Sequence, residues 1–200
     1  MSHNTWIHRV VRHGVRPLVG SRITPNHLTG LRLVTGIAAT AAFAVGTPGW
    51  RAWGGAIFLV SLLLDRADGE LARLGGKTSP WGHKFDLVSD AFCNAVVFIG
   101  IGFGLRYGDF GLWATAMGAL AGAAIVTILW LTLRIEAARG ERAGEIKGVA
   151  GFDPDDAMFV VPPIIWAGWP EALLVAAAIG APVFAGVMYA ILRRRQRNAG

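Results

Sequence analysis

The stretch DRADGELARLGGKTSPWGHKFDLVSD, residues 65–90, carries four aspartates: Asp65, Asp68, Asp86 and Asp90. Spacings of three and four residues place each pair on one face of a helix. Apolar runs at 56–64 and 95–105 flank the stretch, so two helices would bring the four carboxylates together at the edge of an apolar medium. Unpaired carboxylates repel one another and are costly to bury. One or two divalent cations would remove this cost, and all-oxygen ligands favour Mg²⁺, Mn²⁺ or Ca²⁺ over zinc.

The same stretch resembles the signature of the CDP-alcohol phosphotransferases. Eight fixed positions match at the family's spacing: Asp65, Asp68, Gly69, Ala72, Arg73, Gly82, Asp86 and Asp90. The resemblance implies transfer of a phospho-alcohol group from a CDP-alcohol to a hydroxyl, with release of CMP. It implies that Asp65, Asp68 and Asp86 bind Mg²⁺ or Mn²⁺ as a two-ion site, with Asp90 as a further ligand or as the base. The glycines, the alanine and the arginine of the signature would form the CMP pocket.

The residue types of the signature fit that chemistry on physical grounds. Gly69 and Ala72 leave room for a ligand to approach the helix, and Gly82 opens similar room on the facing helix. Arg73 lies one turn from Gly69 and has the planar donor group that binds phosphate in a bidentate manner. Asp90 lies one turn beyond Asp86, where a carboxylate can bind metal or accept a proton from an attacking hydroxyl.

The segment before the first apolar run also bears on nucleotide binding. Pro25 after Thr24 is typical of a helix start. The pattern Pro25-Asn26-x-x-Thr29 resembles the stretch that precedes the family's first span, which implies that Asn26 and Thr29 lie near the CDP group. The alternative interpretation is that these residues only cap the helix.

Composition and hydropathy predict an all-α integral membrane protein with a single domain over residues 1–200. The chain is 54% hydrophobic, contains 27 glycines and has a mean hydropathy of +0.48, which is high for a soluble protein. The lone cysteine, Cys93, excludes an intramolecular disulfide. Six transmembrane helices are predicted, at about 27–47, 52–74, 83–105, 112–135, 155–167 (with a kink at Pro162–Pro163) and 171–192.

Both ends of the chain are basic. Residues 1–22 are predicted to hold an amphipathic juxtamembrane helix that lies on an anionic membrane surface. They lack the continuous apolar core of a cleavable signal peptide. Residues 193–200 are predicted to form a basic tail.

Charge placement predicts the orientation. Of the 19 lysines and arginines, Arg51 and Arg106 alone fall on the side opposite to residues 65–90. The positive-inside rule therefore places both termini and the active site on the cytoplasmic side, in a bacterial inner membrane. Five tryptophans fall at the opposite loops: Trp50, Trp53, Trp113, Trp166 and Trp169. The net charge of +6 is thereby explained by topology, and no nucleic-acid partner is predicted.

The acceptor site is less sharply marked. Arg134, Arg139 and Lys147, with Arg142, form a basic cluster on the cytoplasmic side that could bind a phosphorylated acceptor. Asp153 begins an acidic segment that could instead contact an amine or a polyol. The alternatives are that the basic residues serve only topology and that the acidic ones serve only a helix N-terminus.

The function predicted is a transferase of phospholipid synthesis that moves a phosphatidyl group from CDP-diacylglycerol to a small polar acceptor. A second interpretation keeps the chemistry but uses a soluble donor such as CDP-inositol and a lipid or phospho-polyol acceptor. A divalent-cation transporter is a rival of another class, but the carboxylates cluster at one face and do not line a path. The family implies a homodimer, and Gly118-x-x-x-Gly122 could pack across it or within one chain.

Overall fold

The structure, a computed structural model, describes residues 6–139 and 154–197. All regular elements in these two ranges are helical, which confirms the all-α prediction for them. The α-helices are α1 (Trp6–Val15), α2 (Pro25–Val45), α3 (Pro48–Leu74), α4 (Pro80–Gly104), α5 (Leu112–Arg139), α6 (Val161–Trp166) and α7 (Pro170–Arg197). Short 3₁₀ helices, Arg16–Leu18 and Pro154–Val160, follow α1 and precede α6.

Prolines set the starts of the three helices around the aspartates. Pro25, Pro48 and Pro80 each occupy the first helical turn, where a missing backbone N–H costs nothing. Helices α3 and α4 therefore begin three or four residues before the predicted spans. At the start of α4, the Ser79 hydroxyl accepts a hydrogen bond from the Gly82 backbone N–H at 2.9 Å, so this serine is a cap.

Four helices are long and apolar enough to cross a membrane: Pro25–Val45, Pro80–Gly104, Leu112–Ile135 and Pro170–Ala190. They indicate an integral membrane protein. Helix α3 has 27 residues, but its second half is charged. The apolar helical stretch Ala157–Trp166, which runs from the second 3₁₀ helix through α6, has only 10 residues. Four of the six predicted spans thus have candidates, while the second and fifth stay predictions.

The outward faces of the long helices are apolar. Val34, Phe92, Leu120 and Val183 are each at least 44% exposed, as expected of side chains that lipid tails solvate. The five tryptophans at the predicted outer loops are also exposed, by 49% to 74%. Because many apolar side chains face outward, the chain has a high apolar content but only a modest buried core.

Helix α4 packs between α2 and α5 through glycines. A Cβ atom on Gly100 would lie 2.7 Å from the backbone oxygen of Thr40 in α2. On the other side, a Cβ atom on Gly122 would lie 3.0 Å from the backbone oxygen of Ala95, and Gly118 likewise packs on the backbone of Phe98. The Gly118–Gly122 pair therefore serves packing within the chain, and the predicted homodimer draws no support from it.

The first and last helices extend beyond the four candidate spans. Val11 and Val15 of α1 are buried in a cluster with Leu28 and Leu71, so α1 docks on α2 and α3, and its placement at a membrane surface stays a prediction. Helix α7 continues to Arg197 and so includes the part of the predicted tail that the structure describes, as suits arginine, a good helix former.

Candidate metal and nucleotide site

Three aspartates converge where α3 ends and α4 begins. One carboxylate oxygen from each of Asp65, Asp68 and Asp86 lies within 4.8 Å of the others. Asp68 is only 2% exposed. The Oδ1 atoms of Asp68 and Asp86 are buried without a hydrogen-bond partner in the described part of the chain.

These residues fit a divalent cation. Two buried anionic oxygens without donors carry a large desolvation cost, which a bound cation would offset. The donor set contains oxygen alone, which suits Mg²⁺ or Mn²⁺. The sequence predicts that four aspartates come together, and three of them form one group in the structure.

Asp90 lies beside this cluster with different partners. Its Oδ1 atom accepts hydrogen bonds from Arg32 Nη2 at 2.5 Å and from Asn94 Nδ2 at 2.8 Å. Asp90 is not part of the three-carboxylate group. Its two predicted roles, as a further metal ligand or as the base, both stay predictions.

Sequence reasoning did not single out Arg32. This residue lies inside α2, within the first predicted span, and is 0% exposed. Its Nε atom lies 3.2 Å from Asp65 Oδ1 while its Nη2 atom binds Asp90. One guanidinium thus bridges α2 to both aspartate pairs. The signal was present, since a charge inside an apolar span marks a functional position by default.

The residues predicted to bind CDP fall into two places. Thr29 Oγ1 donates to Asp68 Oδ2 at 2.5 Å, so in this structure Thr29 orients an aspartate. Asn26 is exposed near Gly82, where an added Cβ atom would lie 3.6 Å from Asn26 Oδ1. Nucleotide binding by either residue stays a prediction.

The arginine of the signature, Arg73, lies against α3 beside Gly69. A Cβ atom on Gly69 would lie 3.4 Å from Arg73 Nη1, which shows that the glycine lets this side chain lie close to the helix. Arg73 Nη2 pairs with Glu70 Oε1 at 3.1 Å, and 31% of the Arg73 side chain remains exposed. The guanidinium is therefore held in place but open to a phosphate.

Glu70 was not singled out in the sequence, because it fills a variable position of the motif. It is 1% exposed and also pairs with Arg12 Nε at 3.4 Å. This carboxylate connects α1 to Arg73. Its role as the buried partner of two arginines follows from the structure and not from the sequence.

We expect Glu70→Gln to raise the KM for the CDP-alcohol about tenfold while kcat changes less than threefold. The neutral amide leaves Arg73 less well oriented for phosphate, and a charge-assisted hydrogen bond is worth roughly 1.5–3 kcal/mol. Steady-state CMP release at varied donor concentration would measure the change. Glu171→Gln, an acid at the start of α7, is the control, and an unchanged donor KM in Glu70→Gln would contradict this role.

The predicted acceptor residues are placed only in part. Arg134 is exposed, and its guanidinium lies 4.9 Å from the Trp130 ring. Arg139 ends α5, and its side chain lies outside the described part of the structure. Lys147 and Asp153 fall in the range 140–153, which the structure does not describe.

Comparison with known proteins agrees with the site. Residues 22–188 match the family of CDP-alcohol phosphatidyltransferases. A bifunctional IPC transferase and DIPP synthase of Aquifex aeolicus (strain VF5) is 30% identical over 178 residues, which cover 86% of this chain and 40% of that protein. A protein of the same name from Rubrobacter xylanophilus is 35% identical over 98 residues, 48% of this chain and 21% of its own length. The chain thus spans less than half the length of these relatives. The family match extends over both aspartate pairs and most of the helices around them, and the chain belongs to the CDP-alcohol phosphatidyltransferase family.

Proposed function

We propose that this protein is a metal-dependent transferase that moves a phosphatidyl or related phospho-alcohol group from a CDP-alcohol to a hydroxyl acceptor. The observation that carries the proposal is the convergence of Asp65, Asp68 and Asp86 within 4.8 Å, with two orphaned buried oxygens. A site for an uncharged ligand would not need a cluster of carboxylates. A pyrophosphate donor needs a cation, which binds its negative charge and stabilises the leaving phosphate.

Each residue has a defined part in this chemistry. The three clustered aspartates would hold one or two Mg²⁺ or Mn²⁺ ions, which when bound neutralise the pyrophosphate and the leaving phosphate. Arg73 would bind a phosphate of the donor, with Gly69, Ala72 and Gly82 leaving room for the nucleotide. The acceptor oxygen forms a bond to the β-phosphorus, the bond from that phosphorus to the bridging oxygen breaks, and CMP departs. Asp90 takes the hydroxyl proton.

The first substrate pair is CDP-diacylglycerol with a small polar acceptor, as in phospholipid synthesis. The family description names phosphatidyl transfer, and the site lies at the ends of helices whose outer faces are apolar. A lipid tail would remain in the bilayer while the nucleotide stays in the cytoplasm. We place both termini and the site on the cytoplasmic side of the inner membrane, in a homodimer with one domain per chain. Arg134, Arg139, Lys147 and Asp153 remain the proposed acceptor residues.

A second pair uses a soluble CDP-alcohol such as CDP-inositol with a lipid or phospho-polyol acceptor. The relatives support it, because both are named IPC transferase and DIPP synthase and neither name refers to a phosphatidyl group. The chemistry at the aspartates is the same in both cases.

We expect the purified protein to release CMP from a CDP-alcohol when a matching acceptor and Mg²⁺ or Mn²⁺ are present. The donors are CDP-diacylglycerol and CDP-inositol, and the acceptors are serine, glycerol-3-phosphate, inositol, inositol-1-phosphate and choline. EDTA should stop release, and added Mn²⁺ should restore it, because the aspartate cluster needs a cation. Release from neither donor, together with Mn²⁺ flux into proteoliposomes that lack any CDP-alcohol, would favour the transporter and reject the proposal.

A further inference from the structure

The two oxygens of the Asp90 carboxylate have unequal surroundings. Oδ1 accepts from Arg32 Nη2 at 2.5 Å and from Asn94 Nδ2 at 2.8 Å. No described residue donates a hydrogen bond to Oδ2. The side chain of Asp90 is 29% exposed, whereas that of Arg32 is 1% exposed. One oxygen is therefore held by two donors, whereas the other has no donor among the described residues, in a side chain that is partly exposed.

The donors on Oδ1 are themselves fixed. The backbone oxygen of Arg32 accepts a hydrogen bond from Ser61 Oγ in α3 at 3.1 Å and lies 3.9 Å from Cys93 Sγ in α4. A Cβ atom on Gly36, one turn along α2, would lie 2.6 Å from Cys93 Sγ. Helix α2 therefore lies against α4 with little freedom to shift.

Asn94 approaches Asp90 from the same helix, one turn deeper, and is 7% exposed. An amide at this spacing can reach the carboxylate without moving the backbone. A carboxylate with two donors on one oxygen cannot turn that oxygen away without leaving a buried donor unpaired, which costs roughly 1–3 kcal/mol.

We propose that Arg32 and Asn94 are positioning residues for Asp90, which hold Oδ1 so that Oδ2 takes the proton of the acceptor hydroxyl. This inference rests on the proposed function, in which Asp90 is the base. Neither residue touches the substrate. Their contribution is to keep one carboxylate oxygen at the place where the acceptor is deprotonated, a requirement that a misplacement of about 1 Å already compromises.

A plain structural ion pair is the competing explanation, and the contacts argue against it. A buried ion pair is often no more stabilising than apolar residues of the same size. Arg32 also contacts Asp65 Oδ1 at 3.2 Å, so it fixes Asp90 relative to a residue of the metal cluster. A transfer reaction of the proposed kind needs the base to be held in place relative to the residues that bind the metal.

The decisive test is a double-mutant cycle on Asn94 and Asp90. We expect Asn94→Leu to lower kcat by about 10- to 100-fold, with the KM of the donor and the affinity for Mn²⁺, followed by electron paramagnetic resonance, within threefold of wild type. Asp90→Asn should lower kcat by about 10²- to 10⁴-fold, the usual contribution of a general base. The double variant should be no slower than Asp90→Asn alone, because the amide acts through that carboxylate.

Arg32 is tested by graded substitution. Arg32→Met should lose more kcat than Asn94→Leu and should alter Mn²⁺ affinity, because the bridge to Asp65 is lost as well. Arg32→Lys keeps one charge and one contact, so it should recover at least tenfold of the kcat lost in Arg32→Met. Equal kcat in the lysine and methionine variants would overturn the proposal for Arg32.

The control is Thr115→Val, which replaces another polar group by an isosteric apolar one. Thr115 lies in α5, and its Oγ1 atom is buried without a partner in the described structure. It should keep wild-type kcat. An Asn94→Leu variant with wild-type kcat, or one whose loss multiplies with that of Asp90→Asn, would overturn the positioning role alone. A fully active Asp90→Asn would overturn the base assignment in the proposed function and this inference with it.

Discussion

Asp86→Asn is expected to lower metal-dependent CMP release by about 10³-fold or more. Asp86 Oδ1 is buried without a hydrogen-bond partner in the described structure, and its carboxylate belongs to the three-residue cluster. An amide of the same shape cannot supply the negative charge. A metal ion contributes several kcal/mol to transition-state stabilisation, and each 1.36 kcal/mol is a factor of ten in rate. The rate of CMP release at saturating donor would measure the loss.

The charge balance of the cluster makes the loss hard to compensate. Arg32 and Arg66 already contact Asp65, at 3.2 Å and 2.8 Å. These two guanidinium ions already offset part of the negative charge of the cluster. Removal of one carboxylate therefore leaves less negative charge to bind a metal cation. We therefore expect weaker Mn²⁺ binding by paramagnetic resonance as well as slower turnover, and Asp68→Asn should behave in the same way.

Asp109→Asn is the matched control for this substitution. Asp109 is exposed in the loop between α4 and α5, at the other end of α4 from Asp86. The control should keep wild-type rate and Mn²⁺ affinity. Full activity in Asp86→Asn would reject the metal site, and lost activity with unchanged Mn²⁺ affinity would assign Asp86 another part in the reaction.

The helices and the aspartate cluster were accessible from the sequence because their signals are local. Apolar length located α2, α4, α5 and α7, with a proline start as further support for α2, and the spacing of the aspartates located the cluster. Charged residues in the second half of α3 weaken its apolar signal, so its status as a span does not follow from hydropathy. Hydropathy does not establish the 154–166 segment as a span either, because the segment is short.

The partners of the bridging residues were not accessible from the sequence, because these partners lie far away in the chain. Arg32 and Asp90 are 58 positions apart, as are Arg12 and Glu70. Periodicity within one helix shows which face is apolar, but it does not show which residue of another helix meets it. The same limit applies to Gly118 and Gly122, whose pattern fits packing inside the chain as well as across a dimer.

Gly100→Val is expected to remove both stability and activity, because α2 and α4 touch through this glycine. A Cβ atom there would lie 2.7 Å from Thr40 O and 2.9 Å from Thr40 Cγ2. The first of these atoms belongs to the helix backbone and cannot move alone. Overpacking of this kind costs about 3 kcal/mol, which corresponds to a fall in Tm of about 6–12 °C for a chain of this size.

The same change should separate Arg32 from Asp90, because Arg32 lies on α2 and Asp90 on α4, the two helices that would be forced apart. Gly180→Val is the control, because an added Cβ atom at Gly180 in α7 meets nothing within 4 Å. It carries the same valine in a helix and should keep wild-type Tm and CMP release. Thermal unfolding in detergent and CMP release, measured on both variants, would test the expectation. A Gly100→Val protein with the Tm and rate of Gly180→Val would show that α2 and α4 do not approach as closely as this packing requires.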